Sequence, residues 1–359
     1  MKTKTALLLI ALALAALPPA AAGEKRVSGY IERETRWKAE EGPFIIEGDL
    51  LVRSYANLVI APGTKIIIAA QTAPKSSFLA PPLDRADSSL VSIRIQGGFN
   101  CVGKRDNPIT FEPEISGLAN YAWRGIILDK SDNTFTEIAF TNISGAATGV
   151  TVRNASPILR NNAIENCNIG IQCVEGIAPR VYNNLITNCF TAAIKIERSN
   201  PQILNNIIVF NNNVGLWCDN KSKITFKYNC VYGNGDGNFL DCDPELGRSA
   251  KNKDSTDAMN NIIKNPVFAG SQAESRAIEL DINLPTDSSK VKNTKLLSIP
   301  KFQFGPKVQI PDTKVGSEST RLSKYSPCIN TGDPGGAFKN ADGTRNTMGP
   351  AGGQDFFAK

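Results

Sequence analysis

The sequence predicts an all-β solenoid, one chain wound into stacked coils of about 22 residues with three short strands per coil. Three observations lead there. Proline recurs at Pro157, Pro179 and Pro201, with Lys223 in the next slot; the pair Asn161-Asn162 returns as Asn183-Asn184 and Asn205-Asn206; and the segments between are short runs rich in Ile, Val and Leu. Ile164, Ile186 and Ile208, followed by Cys230, keep the same interval, as do Cys167 and Cys189.

Runs such as "GVTV", "GIQCV", "AIKI" and "NIIVF" carry strand composition without the 3.6-residue periodicity of a helix. A 22-residue turn of extended chain, at roughly 3.3 Å per residue, has a perimeter that suits three strands joined by corners. Coils stacked at about 4.8 Å place equivalent side chains within hydrogen-bonding reach. Asparagine accepts the unusual backbone angles of a corner, and amides in register can bond one another along the stack. The paired asparagines therefore read as structural, beside an aliphatic interior led by Ile164, Ile186 and Ile208.

This repeat, a G-I-x-x strand, an x-P corner and an I-x-N-N-x-I turn, resembles that of the right-handed parallel β-helix proteins, the superfamily of pectate lyases and polygalacturonases. "RWKAEEGPFIIEGDLLVRSYANLVIAPGTKIII" is similar to their entry coils, "DNPITFEPE" to a further coil, and "SPCINTGDPGGAFKNADGTRNTMGPAGG" to the closing segment of bacterial members. The resemblance covers about 30–245 and 326–353 and implies a right-handed parallel β-helix; it carries fold rather than activity.

Residues 1–22 have the grammar of a secretory signal peptide: Lys2 and Lys4, the apolar run Ala6–Leu17, then Pro18-Pro19 and small residues. The expectation is an exported chain beginning near Gly23, periplasmic, surface-bound or extracellular. The β-helix with its N-terminal cap is expected over 23–246, interrupted by a polar insertion at 71–90. Residues 247–359 are expected to hold irregular coils, a basic loop and a cap closing the far end. Within it, 286–324 carries eight basic and three acidic residues. Losing Lys2 and Lys4 lowers the net charge from +6 to +4, too little to argue for nucleic acid. No later run is long and apolar enough for a spanning helix, and a monomer is expected.

The chain contains no histidine. That excludes Ser-His and Cys-His nucleophile pairs and every histidine metal site, leaving Asp, Glu, Lys, Arg and Tyr for any chemistry. The 22-residue frame puts Glu175, Glu197, Asp219 and Asp241 in one column, with Arg153 one coil earlier. Stacked carboxylates repel unless compensated. Nearby Arg153, Lys195, Arg198 and Lys221 can neutralise them; Ca²⁺, an oxygen-seeking cation, can sit at Asp219, Asp241 and Asp243; or two of the acids can act as the pair of a retaining glycosidase, one with a raised pKa. Asp236 and Glu245 extend the acidic group, and Asn340, Asp342 and Gly343 outline part of a calcium loop.

Resemblance to pectate lyases implies acid-bound Ca²⁺ with an arginine or lysine base, for which Arg153, Lys195 and Arg198 are available. The aspartate-histidine cluster of polygalacturonases cannot exist here. The leading expectation is an envelope or extracellular protein that binds polysaccharide without catalysis. The alternative is a Ca²⁺-dependent lyase or a carboxylate glycosidase using Glu175, Glu197, Asp219, Asp241 and Arg198. Cys167 and Cys189, one coil apart, can pair as a disulfide or pack as thiols. Trp217 lies two residues before Asp219, and alternation puts both on one face only if the strand runs unbroken through them.

Overall fold

Extended, β-branched segments separated by left-handed corners leave the chain one way to bury its apolar side chains, which is to stack each turn on the last. The computed structural model describes residues 23–70, 90–115, 122–131, 136–175, 178–248, 256–269 and 321–353. The leader, the insertion and most of the basic segment lie outside the described residues.

Three parallel walls result. Wall one contains the C-terminal half of β3 (Phe44–Val52), then β6 (Ser92–Ile95), β9 (Gly125–Asp129), β12 (Thr148–Arg153), β15 (Ile169–Val174), β18 (Ala192–Glu197), β21 (Val214–Cys218) and β24 (Gly237–Leu240). Wall two contains the N-terminal half of β3, then β5 (Lys65–Ile68), β8 (Ile109–Pro113), β11 (Thr141–Ser144), β14 (Ala163–Glu165), β17 (Leu185–Thr187), β20 (Ile207–Val209) and β23 (Cys230–Tyr232). Because β3 turns the corner between them, these two walls, together with the N-terminal strand that pairs with β3, form one 16-stranded sheet.

Wall three is an 8-stranded sheet: β2 (Thr35–Trp37), β4 (Asn57–Ile60), β7 (Gly98–Val102), β10 (Glu137–Ala139), β13 (Ile158–Arg160), β16 (Arg180–Tyr182), β19 (Gln202–Leu204) and β22 (Thr225–Lys227). β1 (Lys25–Ile31) pairs with β3 and covers the edge of the first coil, which would otherwise offer unpaired backbone to another chain.

The interior is a set of stacked columns. Ile143, Ile164, Ile186, Ile208 and Val231 are paired in succession, and Ile138, Leu159, Val181, Ile203 and Phe226 do the same across the core. Val231, not Cys230, continues the isoleucine column, because one residue is inserted in the coil before it; Cys230 falls level with Ile207 and faces outward.

The two asparagines of each pair do different work. The first, at Asn161, Asn183, Asn205 and again at Asn260, has positive φ, the left-handed corner conformation that Asn tolerates better than other L-residues. The second points inward and bonds the next coil. Asn162 Nδ2 donates to Asn184 Oδ1 at 3.0 Å, Asn184 Nδ2 to Asn206 Oδ1 at 2.9 Å, Asn206 Nδ2 to Asn229 Oδ1 at 3.0 Å and Asn229 Nδ2 to Asn261 Oδ1 at 3.1 Å. Each Oδ1 also accepts the backbone amide of the asparagine one coil earlier.

The ladder ends on a carboxylate. Buried Asp257 accepts the Asn261 amide and side chain and the amides of Gly247 and Met259. Residues 256–262 are thus the last partial coil, held by the ladder and by the bridge Cys230↔Ile262. A second interior corner stacks Cys167, Cys189, Asn211 and Asn234, with Asn211 Nδ2 donating to Asn234 Oδ1 at 2.8 Å. Cys167 and Cys189 stack as expected but donate to the carbonyls of Glu165 and Thr187, and burial pushes the Cys167 thiol up to about 12.

Residues 321–353 do not cross the end of the rod. Their contacts run along the flank of wall two as a strap, onto the outward amides of the first asparagines. Asn183 Nδ2 reaches Asn346 Oδ1 and the Thr347 carbonyl, both at 2.9 Å; Asn161 Nδ2 donates to the carbonyls of Gly352 at 2.8 Å and Pro350 at 3.1 Å; and Asn205 Oδ1 accepts the Asp333 amide at 2.7 Å. Under the strap, Cys328 and Met348 pack with Leu185, Ile207, Val209, Cys230, Ile262 and Phe268 in a second apolar cluster. Over β17, β20 and β23, wall two therefore carries apolar residues on both faces, and its outer face there is covered by the chain's own C-terminal segment.

Replacing Asn206 with Leu should lower the urea-unfolding free energy by roughly 2–4 kcal/mol, since the Asn184 amide and side chain lose their acceptor in a buried site; a change within ±0.5 kcal/mol would show that the ladder contributes little. Substituting Gly349 with Val should loosen the strap, because φ is +82° there and a Cβ would meet Ile207 Cδ1 at 2.6 Å. The expected readout is binding of a hydrophobic dye to the uncovered wall two at denaturant concentrations where the parent binds none.

Candidate functional site

Wall one ends in a left-handed corner, and that corner places the acids. Lys130, Asn154, Glu175, Arg198 and Asp241 all have positive φ where the chain leaves the wall. Val174 pairs with Glu197, so Glu175 comes level with Arg198, not with Glu197. The turn before β18, 188–191, is one residue longer than the turn before β15, 166–168, and this insertion shifts the register from 22 to 23.

Ile196 pairs with Cys218, so Glu197 and Asp219 are level as the sequence suggests. A second extra residue at the corner after β21 breaks the next step. Trp217 pairs with Leu240, which sets Asp241 level with Cys218. The four-acid column is therefore a single in-register step, Glu197 to Asp219, flanked by two offsets.

Each acid has donors. Glu175 Oε1 accepts from Arg198 Nη2 at 3.0 Å and its Oε2 from Asn154 Nδ2 at 3.4 Å. Glu197 lies 3.1 Å from Lys195 Nζ and accepts from Gln172 Nε2 at 2.7 Å. Asp219 accepts the Ser222 hydroxyl at 2.5 Å and the amides of Arg198 and Lys221; Asp241 accepts the Trp217 indole N–H at 3.2 Å. Burial raises the Asp219 pKa, but the Ser222 hydroxyl and the amides of Arg198, Lys221 and Ser222 outweigh it and hold the carboxyl below its usual range. A retaining glycosidase needs one carboxyl moved the other way, so Asp219 is a poor general acid.

Asp219, Asp241 and Asp243, the residues expected to hold calcium, are not gathered into one group. Among the described residues no three His, Cys, Asp or Glu side chains gather into a group able to hold a metal ion. Asp243 instead accepts the Glu245 amide. In the partial loop at 340–343, the Asp342 carboxylate accepts the Thr344 amide and hydroxyl, while Asn340 Nδ2 donates to Thr344 Oγ1, to the carbonyl of Arg345 and to Asn330 Oδ1. It reads as a turn within the strap.

On wall one, alternate side chains face outward, and pairing puts Thr151, Gln172, Lys195, Trp217 and Leu240 in one row. Lys195 Nζ lies 4.5 Å from the Trp217 ring centroid, and Leu240 is exposed beside it. The sequence reading linked Trp217 to Asp219; the indole in fact bonds Asp241, one coil on. The row was hidden because both insertions must be counted before residues 172, 195, 217 and 240 line up.

Residues 116–277 match the family model described as the right handed beta helix region. The coils, walls and corners described above are of that kind. Over those residues the chain is similar to the right-handed parallel β-helix proteins, and its parallel walls have that fold. No curated protein and no solved structure matches it. In this β-helix, Arg153 pairs with Asp129 and Val174 at the end of wall one, near the corner but on the coil before Glu175. No described helix is long and apolar enough to cross a membrane.

Because its folded pKa is depressed, Asp219 contributes stability that is fully present above the unfolded carboxyl value, about pH 4, and is lost as pH falls through the lower folded value. Asp219→Asn should therefore be less stable than the parent β-helix at pH 7, with the gap narrowing as pH drops below about 4. Urea midpoints measured from pH 7 to pH 2 check this; a gap constant over that range would show that the carboxylate's bonds carry no such linkage.

Proposed function

We propose that the protein is an exported β-helix protein that binds polysaccharide along the outer face of wall one without cleaving it. The row Gln172–Lys195–Trp217–Leu240 supports this reading. An indole and an aliphatic side chain offer a flat apolar surface to the C–H face of a sugar ring, while amide, ammonium and carboxylate groups on either side exchange hydrogen bonds with hydroxyls. The spacing of the row, about 4.8 Å per coil, lets an extended chain of sugars meet several rungs at once.

Charge shapes the choice of glycan. Lys195 and Arg198 are matched by Glu197 and Glu175 within ion-pair distance, so the face has no large field of either sign, and a hydroxyl-rich polysaccharide with little charge suits it best. The acids are engaged by cations, amides and an indole rather than left for proton transfer. The reading of residues 1–22 as a secretory leader supports export to the compartment where such polymers lie.

Calorimetry or affinity electrophoresis against neutral and acidic polysaccharides tests the proposal. Binding to a neutral polymer is expected, with Trp217→Ala weakening it at least about tenfold as for a central aromatic anchor and with no new reducing ends or unsaturated products. Absence of binding across both classes would retire the proposal, and product release that survives purification would replace it with an enzymatic one.

A further inference from the structure

The eight cysteines are not equivalent. All are present as thiols; Cys167 and Cys189 stack in one interior column, Cys230 meets Cys328 beneath the strap, and Cys218 and Cys242 face each other with Sγ atoms 3.0 Å apart, inside the van der Waals separation of two sulfur atoms. Their meeting follows from the corner. Cys218 ends the interior column Cys173–Ile196–Cys218 of wall one. One coil later, Asp241 adopts positive φ and turns Cys242 back toward the core, where it packs against the main apolar cluster.

Adjacent coils stand about 4.8 Å apart, within the Cα separations that a disulfide spans. From this geometry we infer that Cys218 and Cys242 are a cross-linking site, closing to a disulfide that staples the last full coil of the solenoid to the one before it.

The step is a thiol–disulfide exchange with a low-molecular-weight disulfide such as oxidised glutathione. The Cys242 thiolate attacks one sulfur of the oxidant, a mixed disulfide forms, and one glutathione thiolate leaves. Cys218 then loses its proton and attacks Cys242 Sγ, releasing the second glutathione. Two S–H bonds are lost and one S–S bond is gained; the oxidant takes up the two electrons and, as two thiols, the two protons. Cys242 is the partly exposed member and Cys218 the buried one, which sets the order of attack. The hydrogen-bonded contact between the two sulfurs lowers the Cys242 pKa and raises that of Cys218, so the reachable sulfur is also the one more readily present as thiolate.

The position gives the bond its consequence. Terminal repeats of a solenoid have a neighbour on one side only and open most readily. The loop between the cysteines contains β22, β23 and β24, so the cross-link restrains a whole coil and removes conformational freedom from its opened state.

The test uses the full chain. It is folded under reduction, exposed to oxidised glutathione, quenched with iodoacetamide and digested with trypsin without reduction; cleavage after Lys221, Lys223 and Lys227 separates the two cysteines. The expected product is a linked peptide pair, lighter by two hydrogens than its free parts, with Cys101, Cys167, Cys173 and Cys189 alkylated only after denaturation. Carbamidomethyl groups on both Cys218 and Cys242, or a lasting glutathione adduct on Cys242, would overturn the assignment. In Cys218→Ser the mixed disulfide on Cys242 should persist. Amide exchange in Thr225–Leu240 should slow at least about tenfold on oxidation if the staple holds the coil shut, and unchanged exchange would refute that consequence.

Discussion

Register is the constraint on which the rest of the molecule depends, and the buried amide ladder enforces it. A parallel stack of Ile and Val columns would tolerate small slips between coils, because apolar contact has no direction. Amides in a dry interior do not: each Asn162-type side chain has a donor that must meet the next coil and an acceptor that must meet the one before, and a displaced amide leaves both unpaired at a cost of about 1–3 kcal/mol each. The run from Thr141, whose amide bonds Asn162 Oδ1, to Asp257 is closed at both ends. The carboxylate is well suited to the final place, since it only accepts and leaves no donor facing an empty next rung.

The paired asparagines also explain how the C-terminal segment finds its seat. A left-handed corner turns the first amide outward just as the second turns inward, so one dipeptide serves two structures. The later coils of wall two, apolar outside as well as inside, need a cover. The strap supplies Met348 and Cys328 for that surface and backbone carbonyls for Asn161 and Asn183. Arg105 adds a bond to the Pro350 carbonyl, so the strap spans from the last coils back past the fourth strand of wall two. Wall one is left with its row of Thr151, Gln172, Lys195, Trp217 and Leu240 outside the strap.

Legibility differed between these parts. The period, the strand composition and the structural role of the asparagines were plain in the residues, because a 22-residue recurrence of Pro, Asn-Asn and Ile has few other physical explanations. The acid column was read with the same ruler and came out offset. Turn residues 188–191 and the corner after β21 each hold one residue more than the coil before, and insertions at corners leave the wall strands intact while sliding everything beyond them. Glu175 consequently meets Arg198, Asp241 meets Trp217, and the row of Lys195 and Trp217 came to light only with the pairing. The course of the strap is hidden in the sequence for a related reason: its motif resembles a closing segment, and nothing local says whether such a segment lies across a rod or along it.

By itself, then, the amino-acid sequence determined that the chain coils, that a coil holds about 22 residues and that the repeated isoleucines and asparagines line its interior, because those follow from strand composition and from the need of paired amides for one another every turn. Tertiary structure alone decided which charged groups face each other, which outward row is open and which sulfurs touch. These depend on where single residues are inserted at corners, and the effect of an insertion is expressed only between coils, across contacts that join residues more than twenty positions apart.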